Sequence, residues 1–146
     1  MIDIKKVKVV IFDLGGTLKV SGVLKLFPGT KEVLERLSKK YTLVIGANQP
    51  LYAYQFMEES GIDRYFEKVY LSTEIGYEKP DLKFFKYILD DLKLEAEEVV
   101  MVGDNYENDI SPARSLRIKA IWLNYLEQEG ESDFVILDLK EILEIL

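Results

Sequence analysis

The amino-acid sequence predicts an α/β fold, in which helices cover a mostly parallel sheet. Short apolar runs that suit buried strands alternate along the chain with segments of helical periodicity. These runs are continuously apolar, as expected of strands buried on both faces. Because the 146 residues are 48% hydrophobic, they suffice for one sizeable core. We therefore predict a single domain over residues 1–146.

The first half of the chain supplies two strands and two helices. Val9–Phe12 is a run of β-branched and aromatic residues that ends at Asp13, before a turn signal at Gly15 and Gly16. The segment "PGTKEVLERLSKK" has apolar residues at helical spacing, and "YTLVIGAN" is typical of a second buried strand. A second helix is predicted in "YAYQFMEESG", where Gly61 closes it.

The second half continues the same alternation. We predict strands in "FEKVYLS", "EEVVMVGD" and "KAIWLN", separated by helices in "DLKFFKYILDDLKL" and "NDISPARSLRI". The last segment, "DFVILDLKEILEIL", predicts a short strand followed by a terminal helix. No repeat or low-complexity tract interrupts this series.

Composition and charge narrow the chemistry. The net charge of -7 and the lack of a dense Lys/Arg cluster argue against a nucleic-acid partner. Without cysteine or histidine, chemistry must depend on carboxylates, hydroxyls, lysine and arginine. No stretch approaches the roughly 20 apolar residues of a membrane span, and "MIDIKKVKVV" lacks the apolar core of a signal peptide. We therefore predict a cytoplasmic protein with no membrane partner, whose composition resembles that of thermophile proteins.

Charged residues follow two of the predicted strands. Asp13 follows the first strand, Asp104 and Asp109 lie in "VGDNYEND" after the fourth, and Lys79 stands in "GYEKPD" between them. The carboxyl ends of parallel strands meet at one crevice, so these side chains are expected to share a site. Carboxylates suit Mg²⁺, a lysine offsets the remaining negative charge, and glycines allow a phosphoryl group to approach the backbone.

Four short motifs resemble those of the haloacid dehalogenase superfamily, over essentially the whole chain. They are "FDLGGTL", "VIGAN", "GYEKPD" and "VGDNYEND", in the order of that family and each placed as in that family. The resemblance implies a Rossmann-like three-layer sandwich. Only "KVSGVLKL" separates Leu18 from Phe27, which indicates a member without a separate cap domain.

The resemblance also implies a role for each matching residue. Asp13 would attack phosphorus and form an aspartyl-phosphate, which water then hydrolyses. Lys79 would balance the charge of nucleophile and phosphoryl group. Mg²⁺ would be held by Asp13, by the backbone carbonyl of Gly15 and by Asp104, with Asp109 completing or orienting its ligand shell.

Phosphate binding is assigned to the turn after the first strand and to the end of the second. Gly16, Thr17, Asn48 and Lys79 are the predicted phosphate-binding residues. Asn48 has an alternative as an ordinary loop residue. Purely structural roles are the alternatives for the charged residues. Asp13, Asp104 and Asp109 could be turn or helix-capping residues, and Lys79 could be an ordinary solvated lysine.

Two positions depart from the family pattern. Gly15 stands where phosphatases of this family carry a second aspartate, the general acid and base, and Ala47 replaces a Thr or Ser that donates to the phosphoryl group. The leading hypothesis is a Mg²⁺-dependent phosphatase with weakened or selective turnover. The alternatives are an inactive metal- or phosphate-binding module and a hydrolase for good leaving groups such as acyl phosphates or halides.

The partner predicted from the resemblance is a phosphorylated small molecule or macromolecule. Since no cap is indicated, the open site would be covered by the macromolecule itself or by a second subunit of a homo-oligomer.

Overall fold

A computed structural model describes residues 4–146 and contains one sheet of six parallel strands. The strands are β1 (Val9–Phe12), β2 (Thr42–Ala47), β3 (Phe66–Leu71), β4 (Val99–Gly103), β5 (Lys119–Leu123) and β6 (Phe134–Ile136). Their spatial order is β3-β2-β1-β4-β5-β6. The predicted α/β fold with a mostly parallel sheet is confirmed.

Five α-helices connect the strands. They are α1 (Thr30–Ser38), α2 (Tyr52–Ser60), α3 (Ser72–Ile75), α4 (Leu82–Leu92) and α5 (Ser111–Ser115). The longest, α4, begins after Asp81, whose side chain accepts a hydrogen bond from the backbone N–H of Lys83. Such a side-chain cap satisfies one of the unpaired donors of a first helical turn.

Both faces of the sheet are covered, which makes the fold a three-layer sandwich. Along β1, Val10 and Phe12 contribute to one core and Val9 and Ile11 to the other. Alternate residues of a strand point to opposite faces, so a continuously apolar strand supplies both cores. The first core includes residues of α1 and α2, and the second includes residues of α4.

Several element predictions need correction. The predicted terminal helix is a 3₁₀ helix over Leu139–Glu144. The helix predicted in "NDISPARSLRI" is shorter, because a π-helical turn over Tyr106–Ile110 precedes a five-residue α5. The short helix α3 was not predicted. Between β1 and α1, the described chain forms only isolated bridges, Gly15 with Lys19 and Lys19 with Leu26.

The strand order places a crevice beside the end of β1. The chain builds β2 and β3 on one side of β1 and then returns to build β4 on the other side. Ligands bind at such switch points in open parallel sheets. The backbone N–H of Asp13 donates to the carbonyl of Val102 over 3.0 Å, so the residue after β1 is fixed against β4. Within residues 4–146, no helix is long and apolar enough to cross a bilayer.

Candidate active site

Asp13, Lys79, Asp104 and Asp109 meet at the crevice between β1 and β4. The Lys79 ammonium donates to Asp13 Oδ1 over 2.9 Å and to Asp109 Oδ1 over 2.6 Å. One carboxylate oxygen from each of the three aspartates lies within 4.8 Å of the others. The side chains predicted to share a site therefore do so, although they are up to 96 positions apart in the sequence.

Lys79 is 3% exposed, and all three of its ammonium hydrogens have acceptors. The third acceptor is the carbonyl oxygen of Gly46, at 2.9 Å. Burial lowers the pKa of Lys79, but the charges of Asp109 and Asp13 outweigh that effect, so the pKa is raised above its usual value. Lys79 is therefore a permanent cation within this site.

The other two aspartates hold protons more tightly than usual. Burial raises the pKa of Asp109 to about 7 and that of Asp104 to about 6, and the charge of Asp13 adds to both rises. One ammonium does not compensate three carboxylates. Oxygen ligands and excess negative charge suit a divalent cation such as Mg²⁺, so these residues fit the metal that the sequence predicts.

Two glycines make room for these acids. A Cβ on Gly103 would lie 2.3 Å from Asp109 Oδ2, and one on Gly16 would lie 2.4 Å from Asp104 Oδ2. Gly16 also has a φ of +83°, which L-residues rarely adopt. Both glycines are therefore required for the close approach of a carboxylate to the backbone.

Hydrogen bonds to distant elements fix the acids further. The indole N–H of Trp122, at the end of β5, donates to the backbone carbonyl of Asp104 over 3.0 Å. Thr17 Oγ1 donates to Asp104 Oδ1 over 3.1 Å, and the backbone N–H of Asn105 donates to Asp109 Oδ2 over 3.2 Å. The Asp109 side chain is thus fully buried with both oxygens hydrogen-bonded.

The predicted phosphate-binding residues make contacts within the protein. The N–H of Gly16 donates to the carbonyl of Lys19, and the hydroxyl of the fully buried Thr17 donates to Asp104. The amide side chain of Asn48 bonds to Lys79 twice, donating to its carbonyl over 2.8 Å and accepting from its N–H over 2.9 Å. Asn48 therefore positions Lys79, and phosphate binding by these residues stays a prediction.

Other backbone donors are available for an anion. Among the described residues, none accepts a hydrogen bond from the backbone N–H groups of Leu14, Gly15 or Asn48. Two of these groups follow Asp13 directly, and the third follows β2 on the neighbouring strand. Backbone N–H groups without an acceptor in the protein can donate to phosphoryl oxygens.

A polar cleft of about 230 Å³ gives access to the acids and to Lys79. Gly15 and Gln49 line it and also line a second cleft of about 410 Å³ beside it. Gln49 Nε2 lies 3.0 Å from the position that a Cβ on Gly15 would take, and Gln49 Oε1 accepts from the hydroxyl of Tyr52 over 2.9 Å. The space beside Gly15 is therefore partly filled by a neutral amide.

Comparison with known proteins identifies the family. The sequence profile of haloacid dehalogenase-like hydrolases matches residues 18–123. The chain belongs to this family. Its glyceraldehyde 3-phosphate phosphatase relative from Pyrococcus furiosus is 33% identical over 132 residues, which cover 84% of this chain and 55% of that protein. The phosphoserine phosphatase of Thermus thermophilus is 33% identical over 87 residues, covering 57% of this chain and 35% of that protein.

Solved structures agree with the fold. The haloacid dehalogenase-type phosphatase from Thermococcus onnurineus superimposes with a TM-score of 0.84 at 22% identity, covering 94% of this chain and 97% of that one. The sequence match spans about half the length of the Pyrococcus relative and about a third of the length of the Thermus relative.

Some residues that support or line the candidate site of this haloacid dehalogenase-like hydrolase were not identified from the sequence. Trp122 belongs to no sequence motif, because its partner Asp104 lies in a different part of the chain. The pair of Gln49 and Tyr52 also belongs to none, since the two residues meet across a turn. For Asp109, the signal was present, because Gly103 in "VGD" is the glycine that its carboxylate requires.

Proposed function

We propose that the chain is a Mg²⁺-dependent phosphatase in which Asp13 is the nucleophile. The observation that carries this proposal is the Asp13 carboxylate itself, which contacts a buried ammonium and lies beside two further carboxylates at the edge of a polar cleft. A carboxylate that an ammonium holds in place can attack an electrophile.

In the first step, a carboxylate oxygen of Asp13 attacks phosphorus. The bond from phosphorus to the leaving oxygen breaks, and that oxygen takes the electron pair. Lys79 offsets charge on the nucleophile and the phosphoryl group, while the N–H groups of Leu14, Gly15 and Asn48 would donate to phosphoryl oxygens.

In the second step, water attacks the phosphorus of the aspartyl-phosphate. The bond between Asp13 and phosphorus breaks, which releases inorganic phosphate and restores the carboxylate. Asp13, Asp104 and the carbonyl of Gly15 would hold Mg²⁺, with Asp109 fixing Lys79 behind them. When bound, Mg²⁺ supplies Lewis-acid neutralisation of phosphoryl charge.

Leaving-group chemistry makes this site selective. Gly15 has no side chain, and the residue closest to its Cβ position is the neutral amide of Gln49. A substrate whose leaving oxygen needs protonation loses general acid help, which is typically worth about 10² to 10⁴ in rate. Acyl phosphates, whose leaving groups depart as anions, are the substrates least affected.

A binding module without turnover is the second candidate. Ala47 is fully buried and offers no hydroxyl, and all three hydrogens of Lys79 are already donated inside the protein. A site in this state binds a cation through its acids without rapid phosphoryl transfer. In this second candidate, the protein binds Mg²⁺ and catalyses no reaction.

Intact-mass measurement after treatment with acetyl phosphate and Mg²⁺ tests the proposal. We expect the mass of one phosphoryl group to be added to the wild type and to Asp90→Asn, which changes an exposed acid of α4. Asp13→Asn should remain unmodified. An unmodified wild type at every donor concentration, with no hydrolysis of acetyl phosphate, would exclude the phosphatase and favour the binding module.

A further inference from the structure

Lys19 is a second buried lysine, and no side chain of residues 4–146 compensates its charge. The residue is 5% exposed. Its ammonium donates one hydrogen bond, to the carbonyl of Val20 over 3.3 Å, and lies 5.8 Å from the centroid of the Phe56 ring. Within residues 4–146 it forms no ion pair. Since an ammonium has three hydrogens, two have no acceptor among the described residues.

This lysine lines the cleft of about 410 Å³ that adjoins the Asp13 cleft. None of the described residues that line it is Asp or Glu, although the chain carries a net charge of -7. Gly15, Ser21 and Gln49 line both clefts. The cleft that Lys19 lines is therefore adjacent to the proposed phosphoryl site.

The backbone of Lys19 is tied to the loop that carries the nucleophile. Its N–H donates to the carbonyl of Leu14 over 2.9 Å, and its carbonyl accepts from the N–H of Gly16 over 2.7 Å. A short bridge to Leu26 fixes the other side. Lys19 is thus held at a constant position relative to Asp13.

We propose that the Lys19 cleft is a second anion-binding site, and that the substrate is a small phosphorylated compound whose leaving group carries a further carboxylate or phosphate. The inference rests on the proposed phosphatase function. Burying a charge is costly unless it is paired, and residues 4–146 supply no anionic partner for Lys19, so the counter-charge comes with the ligand. The neutral donors Ser21 and Gln49 in the lining complete a polar environment for it.

Calorimetric titration with non-hydrolysable phosphonates in the presence of Mg²⁺ tests this proposal. Phosphonoacetate and 3-phosphonopropionate carry a phosphonate and a carboxylate, methylenebisphosphonate carries two phosphonates, and ethylphosphonate and propylphosphonate carry one anion only. We expect at least one two-anion probe to bind the wild type about 10- to 100-fold more tightly than the alkylphosphonates, as a charge-assisted hydrogen bond provides. The probe that binds best distinguishes a carboxylate from a phosphate.

Lys19→Met should abolish this preference and leave the affinity for ethylphosphonate within about twofold, because only the second anion contacts Lys19. Lys25→Met, which removes an exposed lysine of the same segment, is the matched control and should keep the preference. The control also accounts for chelation of Mg²⁺ by the probes, which no lysine substitution changes. Lys19→Gln provides a second uncharged variant if the methionine variant does not fold.

Equal affinity of the wild type for one-anion and two-anion probes would overturn the proposal, as would a lack of binding by all probes. A preference that survives in the uncharged Lys19 variants would overturn it too. Failure of phosphoryl transfer has a separate signature, the absence of Asp13-dependent labelling, which these binding measurements do not use.

Discussion

Lys79 and Lys19 are both almost completely buried, at 3% and 5% exposure, but their surroundings are opposite. Lys79 contacts the carboxylates of Asp13 and Asp109 and the carbonyl of Gly46. Lys19 contacts one carbonyl and the face of a phenylalanine ring. One cation is compensated by the fold and the other is not.

This difference indicates two ways of using a buried cation. A lysine paired inside the protein is held in place and stabilises the acids around it, so its removal disturbs folding and chemistry together. A lysine without a partner costs stability until an anion arrives, so it is expected to serve ligand binding. Removing Lys79 should therefore lower the stability of the protein, whereas removing Lys19 should weaken ligand binding without lowering stability.

The largest expected effect is on stability, from Lys79→Met. Removing the ammonium leaves Asp109 buried and uncompensated, which should lower the free energy of unfolding by about 3 to 5 kcal/mol in the presence of a chelator. Lys19→Met should leave it unchanged or raise it. Urea denaturation measures both variants.

Asp109→Asn added to Lys79→Met is the control, because it removes the uncompensated charge and should recover part of the loss. If the two lysine variants lost equal stability, the contrast between a paired and an unpaired cation would be wrong.

Gly15 lines both clefts, and Gly15→Asp should change catalysis. Gly15 is not in a left-handed conformation, and its new Cβ would meet only the flexible end of Gln49, at 3.0 Å. The added acid should raise kcat/KM for phenyl phosphate by up to about 10² to 10⁴, with little change for acetyl phosphate. It should also weaken the preference of the Lys19 cleft for a second anion.

Gly15→Asn is the control, since it has the same size but no acid to protonate the leaving oxygen. A rate gain of equal size in Gly15→Asn would mean that the missing general acid is not what limits the turnover of monoesters.

Mg²⁺ should stabilise the folded protein by less than Lys79→Met destabilises it. Binding to the folded state alone contributes about 2.7 kcal/mol when Mg²⁺ is at 100 times its dissociation constant. Asp104→Asn should remove most of the rise in melting temperature, while Lys19→Met and Asp90→Asn should keep it. A wild type whose melting temperature does not respond to millimolar Mg²⁺ would contradict the metal site.

The smallest expected effect is a pH dependence without divalent cations. Burial and the charge of Asp13 raise the pKa of Asp104 from 3.8 to about 6, so the folded state binds its proton more tightly than the unfolded state. This contribution to stability is complete below pH 3.8 and is lost as the pH rises through about 6. Asp109, whose pKa burial raises to about 7, contributes in the same direction as Asp104. Asp91 and Glu98, whose pKa values are lowered by hydrogen bonds from Lys68 and Lys8, contribute in the opposite direction and reduce the net effect.

The melting temperature measured between pH 4 and 7 in chelator tests this balance. Asp104→Asn should make stability rise more steeply with pH than in the wild type, and Lys19→Met should leave the slope unchanged. If only Lys19→Met changed the slope of melting temperature against pH, the pH dependence would not arise from Asp104.

The sequence by itself determined the strands and the acids at their ends. Continuous apolar runs such as Val9–Phe12 have few alternatives to a strand buried on both faces, and Asp13 and Asp104 come directly after such runs. The parallel arrangement then brings them to one crevice, which is why the four charged residues of the site were found. Only the tertiary structure decided the last helix, since short segments take their pitch from packing. Leu139 and Ile142, three residues apart, are buried on one side of a 3₁₀ helix.

The tertiary structure also decided which polar groups are paired. Asn48 binds the backbone of Lys79 across 31 positions, and Trp122 binds the carbonyl of Asp104 from a different strand. In the sequence, Lys19 is one lysine among many, and its burial without a counter-charge depends on Phe56 and on the loop after β1. Burial and pairing arise from contacts between residues distant in the chain, and a local pattern contains no information about them.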